Sequence, residues 1–148
     1  MSVFQLLMLG ASAYFAFKIY EHIQTLQEPK LNDDHTLVLS DEKVDELIQM
    51  ADEARERGDF DRALAIYSEA KINQPQNAEI LFKMGYTMAQ TERYDEALDY
   101  FQNSLEYDDE NPFVYLEISK IYKQLGDEEK AQSYYEKGVS LDEDIRDL

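Results

Sequence analysis

One period organises most of this chain. Ala63, Ala97 and Ala131 stand 34 residues apart, as do Tyr67, Phe101 and Tyr135. The same step relates Leu47, Leu81 and Tyr115; Met50, Met84 and Ile118; Ala51, Gly85 and Ser119; and Ala70, Ser104 and Gly138. These series share one register and define three blocks, 44–77, 78–111 and 112–145. Within each block, apolar residues recur at helical spacing in two segments joined by a short turn. A helix pair of this kind leaves one apolar face uncovered, so the blocks must stack, and about three is the minimum for a stable array.

The turns carry the chemistry that ends one helix and starts the next. Gly58 can take the left-handed conformation that closes a helix, and Asp59 or Asp61 can cap the one that follows. Gly126-Asp127 repeats the device, whereas Glu92-Arg93 replaces it in the middle block. Pro75 and Pro112 fall between blocks, and Ser40 is placed to cap the first helix. The small residues Ala51, Gly85 and Ser119, with Ala63, Ala97 and Ala131, let paired helices approach closely. Tyr67, Phe101 and Tyr135 are expected to fill the space between neighbouring pairs.

This pattern resembles the tetratricopeptide repeat family over about 102 of the 148 residues. Two departures are visible. The family's Trp position holds Leu47, Leu81 and Tyr115, and its terminal Pro, present as Pro75, is Asp109 and Glu143 in the later blocks. The resemblance implies an all-α, right-handed solenoid of three helix-turn-helix repeats over residues 41–148, with a concave face lined by the first helix of each pair. On that face the matching positions are Asp45, Ile48, Asp52, Arg55 and Glu56, then Glu79, Phe82, Tyr86, Ala89 and Gln90. The third repeat supplies Phe113, Leu116, Lys120, Lys123 and Gln124. A groove of Ile48, Asp52, Arg55, Phe82, Tyr86, Gln90, Phe113, Leu116, Lys120 and Lys123 is therefore expected to hold a peptide or helix of a partner protein. Exposed Phe82, Tyr86, Phe113 and Leu116 would be its anchors; ordinary core packing of the same side chains is the competing reading. Members that bind a chaperone's C-terminal carboxylate use Lys and Asn where this chain has Ile48 and Asp52, and Phe113 and Glu117, so that ligand is not expected.

Ahead of the repeats the composition changes. Residues 1–30 hold Lys18 and Lys30 against Glu21 and Glu28, so the whole formal charge of −18 belongs to residues 31–148. Residues 3–17 carry no charge, and Ile19 and Tyr20 continue the apolar run past Lys18. Eighteen helical residues span roughly 27 Å, near the thickness of a bilayer's hydrocarbon core. A single transmembrane anchor helix is expected at 1–24, followed by a polar linker at 25–40. The lysines after the run favour a cytoplasmic C-terminal domain on the positive-inside rule. Cleavage after Ala11-Ser12-Ala13 is the alternative, although no Lys or Arg precedes the apolar stretch.

With 32 acidic and 14 basic side chains, binding to nucleic acid is not expected. The absence of cysteine removes disulfides, thiolate metal sites and thiol nucleophiles. Both histidines, His22 and His35, precede the repeats, and no phosphate loop, nucleophile elbow or His-Glu-x-x-His helix occurs. Asp108-Asp109-Glu110 and Asp142-Glu143-Asp144 lack the spacing and central Gly of a calcium hand and read as solvated turn acids. Neither catalysis, a cofactor nor a metal is expected. The leading expectation is a membrane-anchored scaffold binding a protein segment, with the acidic rim favouring a basic partner. A periplasmic or secreted subunit of an envelope assembly complex is the alternative, and self-association through the last repeat is a third possibility. That last repeat is expected to present a polar end without a covering helix.

Overall fold

Helix ends recur at the 34-residue step and set the architecture. The computed structural model describes residues 38–147. Among them are six α-helices: α1 (Asp41–Glu56), α2 (Phe60–Asn73), α3 (Ala78–Gln90), α4 (Tyr94–Tyr107), α5 (Pro112–Gln124) and α6 (Glu128–Leu141). A 3-10 turn, Glu143–Asp147, follows α6. The anchor expected at 1–24 lies outside the described residues, as does most of the linker expected at 25–40. Among the described residues no helix is long and apolar enough to cross a membrane.

Gly58 (φ 79°) and Gly126 (φ 81°) end α1 and α5 in the left-handed region. Asp59 and Asp127 then accept from the backbone N–H groups of Arg62 (3.4 Å) and Lys130 (3.1 Å). Between pairs, Asn77 Oδ1 accepts from Glu79 N (3.0 Å) and Ile80 N (3.2 Å), and Asn111 Oδ1 accepts from Phe113 N (3.1 Å). Pro112 follows at the first helical position, where a missing N–H costs nothing. Ser40 occupies the cap position of α1, but its hydroxyl makes no capping bond. The chain entering α1 is held instead by Leu39, whose N–H donates to Asn73 Oδ1 at 2.9 Å and whose side chain packs on the first core cluster. The solvated acids of the turns also have partners: Asp108 and Asp142 each accept from the backbone N–H two residues on.

The middle turn lacks both devices. Glu92 takes the left-handed conformation (φ 61°) without being glycine, and Arg93 caps α4 with no side-chain bond. Its guanidinium instead grips Glu96 at 2.8 and 2.6 Å. A side chain in that region costs about 1 kcal/mol. Glu92→Gly should therefore stabilise the domain by about 0.5–1 kcal/mol and raise Tm by about 3 °C in thermal melts. An unchanged or lower Tm would refute the strain at Glu92.

The core runs along the stack in two clusters. Val44, Ala51, Ala63, Tyr67, Ile80 and Met84 belong to the first, and Met88, Phe101, Val114, Ile118 and Ile121 to the second. Each cluster thus takes residues from the first helix of the following pair. Met84 and Ile118 are buried in this way, whereas Met50, at the same repeat position, is exposed because no earlier pair covers α1 among the described residues. The small series work as spacers. A Cβ on Gly85 would sit 2.9 Å from two ring carbons of Phe101 and 3.2 Å from Ala97 O. Where serine replaces glycine or alanine it gains a bond: Ser119 Oγ donates to Ala131 O (2.7 Å) and Ser104 Oγ to Ala78 O (2.8 Å).

The last pair differs from the polar, uncovered end expected for it. Ile145, in the 3-10 turn, is 1% exposed and packs against Gly138. Tyr135 is only half-buried, unlike Tyr67 and Phe101, and its hydroxyl donates to Arg146 O at 3.2 Å.

Candidate partner-binding site

The first helices of the second and third pairs, with the start of α4, enclose an open pocket of about 220 Å³. From α3 come Tyr86, Ala89 and Gln90, which share one face by their three- and four-residue spacing. Glu117, Lys120, Ile121 and Gln124 form the facing stripe of α5. Tyr94, the first residue of α4, closes one side because the tight turn after α3 brings it back beside Gln90. Buried Ile121 and half-buried Ala89 give an apolar interior, the tyrosines give rigid walls, and the two glutamines offer amides able to pair with a peptide backbone.

Of the ten residues expected in the groove, Tyr86, Gln90 and Lys120 line this pocket. Phe82 supports it from behind: half-buried, it stacks on Tyr86 (centroids 6.1 Å apart) and tilts against Phe101 (5.8 Å). Arg55 lies over the outer wall, its guanidinium carbon 5.4 Å from the centre of the Tyr86 ring. Phe113, 47% exposed, and Lys123 stand on the surface outside the pocket.

Two of the ten are core rather than groove. Ile48 is 7% exposed and belongs to the first cluster, and Leu116 is 6% exposed. Helical spacing put both on the expected face, but close stacking of the pairs covers that part of it. Of the four expected anchors, Phe113 is exposed, Phe82 and Tyr86 are half-buried, and Leu116 is buried.

Asp52 is engaged within the domain. It accepts from the Tyr67 hydroxyl and from Lys83 Nζ at 2.6 Å, and the Arg55 guanidinium stands 3.8 Å away. This junction ties α1 to α2 and to α3 of the next pair. Burial, reinforced by the bond to Asp52, pushes the Tyr67 phenol well above its ordinary pKa, so it stays a neutral donor. Glu79 reaches Lys83 at 3.5 Å, and within the pocket Lys120 Nζ bonds Glu117 at 2.8 Å. Arg55 Nε is buried with no hydrogen-bond acceptor.

Tyr94, Glu117 and Ile121 were not among the expected groove residues. Ile121 and Glu117 continue the Lys120–Gln124 stripe at helical spacing, which is a usable signal. Tyr94 belongs to a second helix, and only the turn geometry brings it in.

Tetratricopeptide repeat models match residues 48–113 and 114–145. A BBSome complex member, BBS4 of Bos taurus, is 32% identical over 79 residues, covering 53% of this chain; the chain spans only 15% of that protein. Among solved structures, MamA superposes with a TM-score of 0.64 at 14% identity, covering 71% of this chain and 61% of MamA. PcrH, crystallised in complex with the chaperone binding region of PopD, gives a TM-score of 0.66 at 20% identity, with 70% of this chain and 77% of PcrH covered. At these identities the two structures show a shared fold.

Proposed function

The chain belongs to the tetratricopeptide repeat family, and from that premise we propose that it is a non-enzymatic scaffold that holds a peptide segment of a partner protein in the α3–α5 pocket. The observation that carries this reading is the pocket itself: two tyrosine walls, an apolar interior and two glutamine amides left open between first helices. Rigid aromatic walls around a desolvated centre are what a side-chain anchor needs, and the amides can hold the backbone beside it. The PcrH complex, in which a related solenoid is bound to a segment of another protein, supports the same use of the fold. The uncharged run in residues 3–17 supports a tether at a membrane, where confinement would raise the effective concentration of the pocket near its partner.

Filling the pocket tests the reading. Ala89→Trp should leave helicity by circular dichroism unchanged and lower crosslinking capture of partners by the full-length chain at least about tenfold, the loss of about 1.4 kcal/mol of anchor energy. Equal capture by the variant and the wild-type protein would sink the assignment.

A further inference from the structure

We propose that the close of α4, the start of α5 and the close of α6 form a second docking face, and that it takes a basic amphipathic helix of a partner protein. None of its residues lines the α3–α5 pocket, so it goes beyond the groove reading. Four large apolar side chains are exposed at this end of the helices: Ile72 (63%), Tyr107 (48%), Phe113 (47%) and Leu141 (42%). The opposite end shows only Leu125 among the described residues. Three of the four gather at the last pair. A Cβ on Gly138 would lie 3.2 Å from the Pro112 carbonyl oxygen, which places Leu141, three residues on, at the start of α5 where Phe113 stands. Residues 108–111 join Tyr107 to the same start, and the Tyr115 hydroxyl holds that link by donating to Asp109 O at 2.9 Å. Tyr107 and Leu141 also share a repeat position. Its first copy, Asn73, is engaged by the chain entering α1, accepting from Leu39 N–H at 2.9 Å, whereas the later two are apolar and open.

The charge around this face specifies its occupant. Residues 106–110 carry four acids and residues 142–144 three, against Lys137 and Arg146 as the cations nearest in sequence. Asp109, Glu110, Glu143 and Asp144 are exposed and join no ion pair among the described residues, while Lys137 lies over the Tyr115 ring. At physiological salt the Debye length is about 8 Å, so these carboxylates act on a chain docked beside them. A partner with Lys and Arg flanking an apolar stripe gains both contacts; an acidic helix or an anionic lipid surface meets like charge. The described elements are helices and turns, which offer no open ladder to an extended backbone. A helix satisfies its own backbone and presents apolar anchors at helical spacing.

The test uses the full-length chain and three synthetic helical peptides: a Leu stripe with Lys elsewhere, the same stripe with Glu elsewhere, and the Leu-Lys composition with its Leu positions scrambled. The striped Lys peptide should bind at least about tenfold more tightly than either control at physiological salt. Tyr107→Ser, Phe113→Ser and Leu141→Ser together should remove its advantage over the scrambled peptide. Asp109→Asn, Glu110→Gln, Glu143→Gln and Asp144→Asn together should remove its advantage over the Glu peptide. The same neutralisation of exposed Glu42, Asp45, Glu46 and Glu56 on α1 should leave both advantages in place. Circular dichroism checks that each variant is folded, and Phe113→Ser alone, at an exposed position, gives the reading if the triple variant is not. Equal binding of striped and scrambled Lys peptides, tighter binding of the Glu peptide, or binding that the serine variants leave unchanged overturns the proposal. Binding to phosphatidylserine vesicles that the triple variant abolishes would assign the face to lipid and overturn it too. Loss of the Lys peptide in Ala89→Trp would place that peptide in the pocket, overturning the second face and leaving the groove standing. Binding unaffected by Ala89→Trp supports the second face, whatever becomes of the groove.

Discussion

Gly85→Val is expected to unfold most of the domain at temperatures where the wild-type protein is intact. Any Cβ at this position meets the Phe101 ring at 2.9 Å and the Ala97 carbonyl at 3.2 Å, both closer than side-chain carbons normally come. The ring has little freedom to yield, because Phe101 is fully buried and packed among Val114, Ile118 and half-buried Phe82. The carbonyl belongs to α4 and moves only if that helix moves. Alanine here would lose about 1–3 kcal/mol to overpacking and regain about 1 kcal/mol of helix propensity. Valine adds two methyl groups and regains less, so a net cost of about 4 kcal/mol is expected, a large share of the 5–15 kcal/mol that stabilises a typical domain. Thermal melts should show Tm lower by about 15 °C for Gly85→Val and by only a few degrees for Gly85→Ala. A valine variant that melts within a few degrees of wild type would disprove the close contact of α3 with α4.

The second large effect is expected at the other end of the stack. Ile145→Asp should detach the 3-10 turn and loosen α6. Ile145 is almost wholly buried, and its terminal methyl lies against the backbone of α6 where Gly138 leaves room for it. Truncation to alanine would cost about 2–4 kcal/mol in lost transfer energy and cavity formation. A carboxylate cannot stay ionised there without a partner, so the turn should instead swing into water, releasing the Tyr135–Arg146 bond as well. In a short array each pair is supported mainly by its neighbours, so the loss should concentrate in the third pair. Hydrogen exchange should show protection falling at least about tenfold in α5 and α6 and less in α1 and α2. Uniform loss along the chain, or none, would contradict the role given to Ile145.

The fold was legible because one 34-residue step repeats every helix's environment. Ala97 meets the same kind of neighbour as Ala63, and the Gly-Asp turn appears twice in full, so pairing and order follow from a single comparison. The site was less legible, for a physical reason. Repeat position says which face a side chain leaves from, but its cover depends on how closely successive pairs stack, and that is set by side chains on other helices. Ile48 and Leu116 leave from the expected face and are nevertheless buried. Asp52 leaves from it too, but Tyr67 and Lys83, far away in sequence, occupy its oxygens. Tyr94 reaches the pocket from a helix that the resemblance assigns elsewhere. The turn at Ile145 departs from the period altogether, its one clue being a lone apolar residue among four acids.

The Asp52 junction has a mechanical consequence. It clamps the joint between the first and second pairs with charged, half-buried bonds, whereas among the described residues no ion pair crosses from the second pair to the third. The first joint thus adds a charged contact to its apolar packing, whereas the second is joined by the apolar cluster of Met88, Phe101, Val114 and Ile118 without an ion pair. The pocket straddles this second joint, between α3 and α5. A ligand wedged there is expected to change the angle between the last two pairs while the first two move as one body.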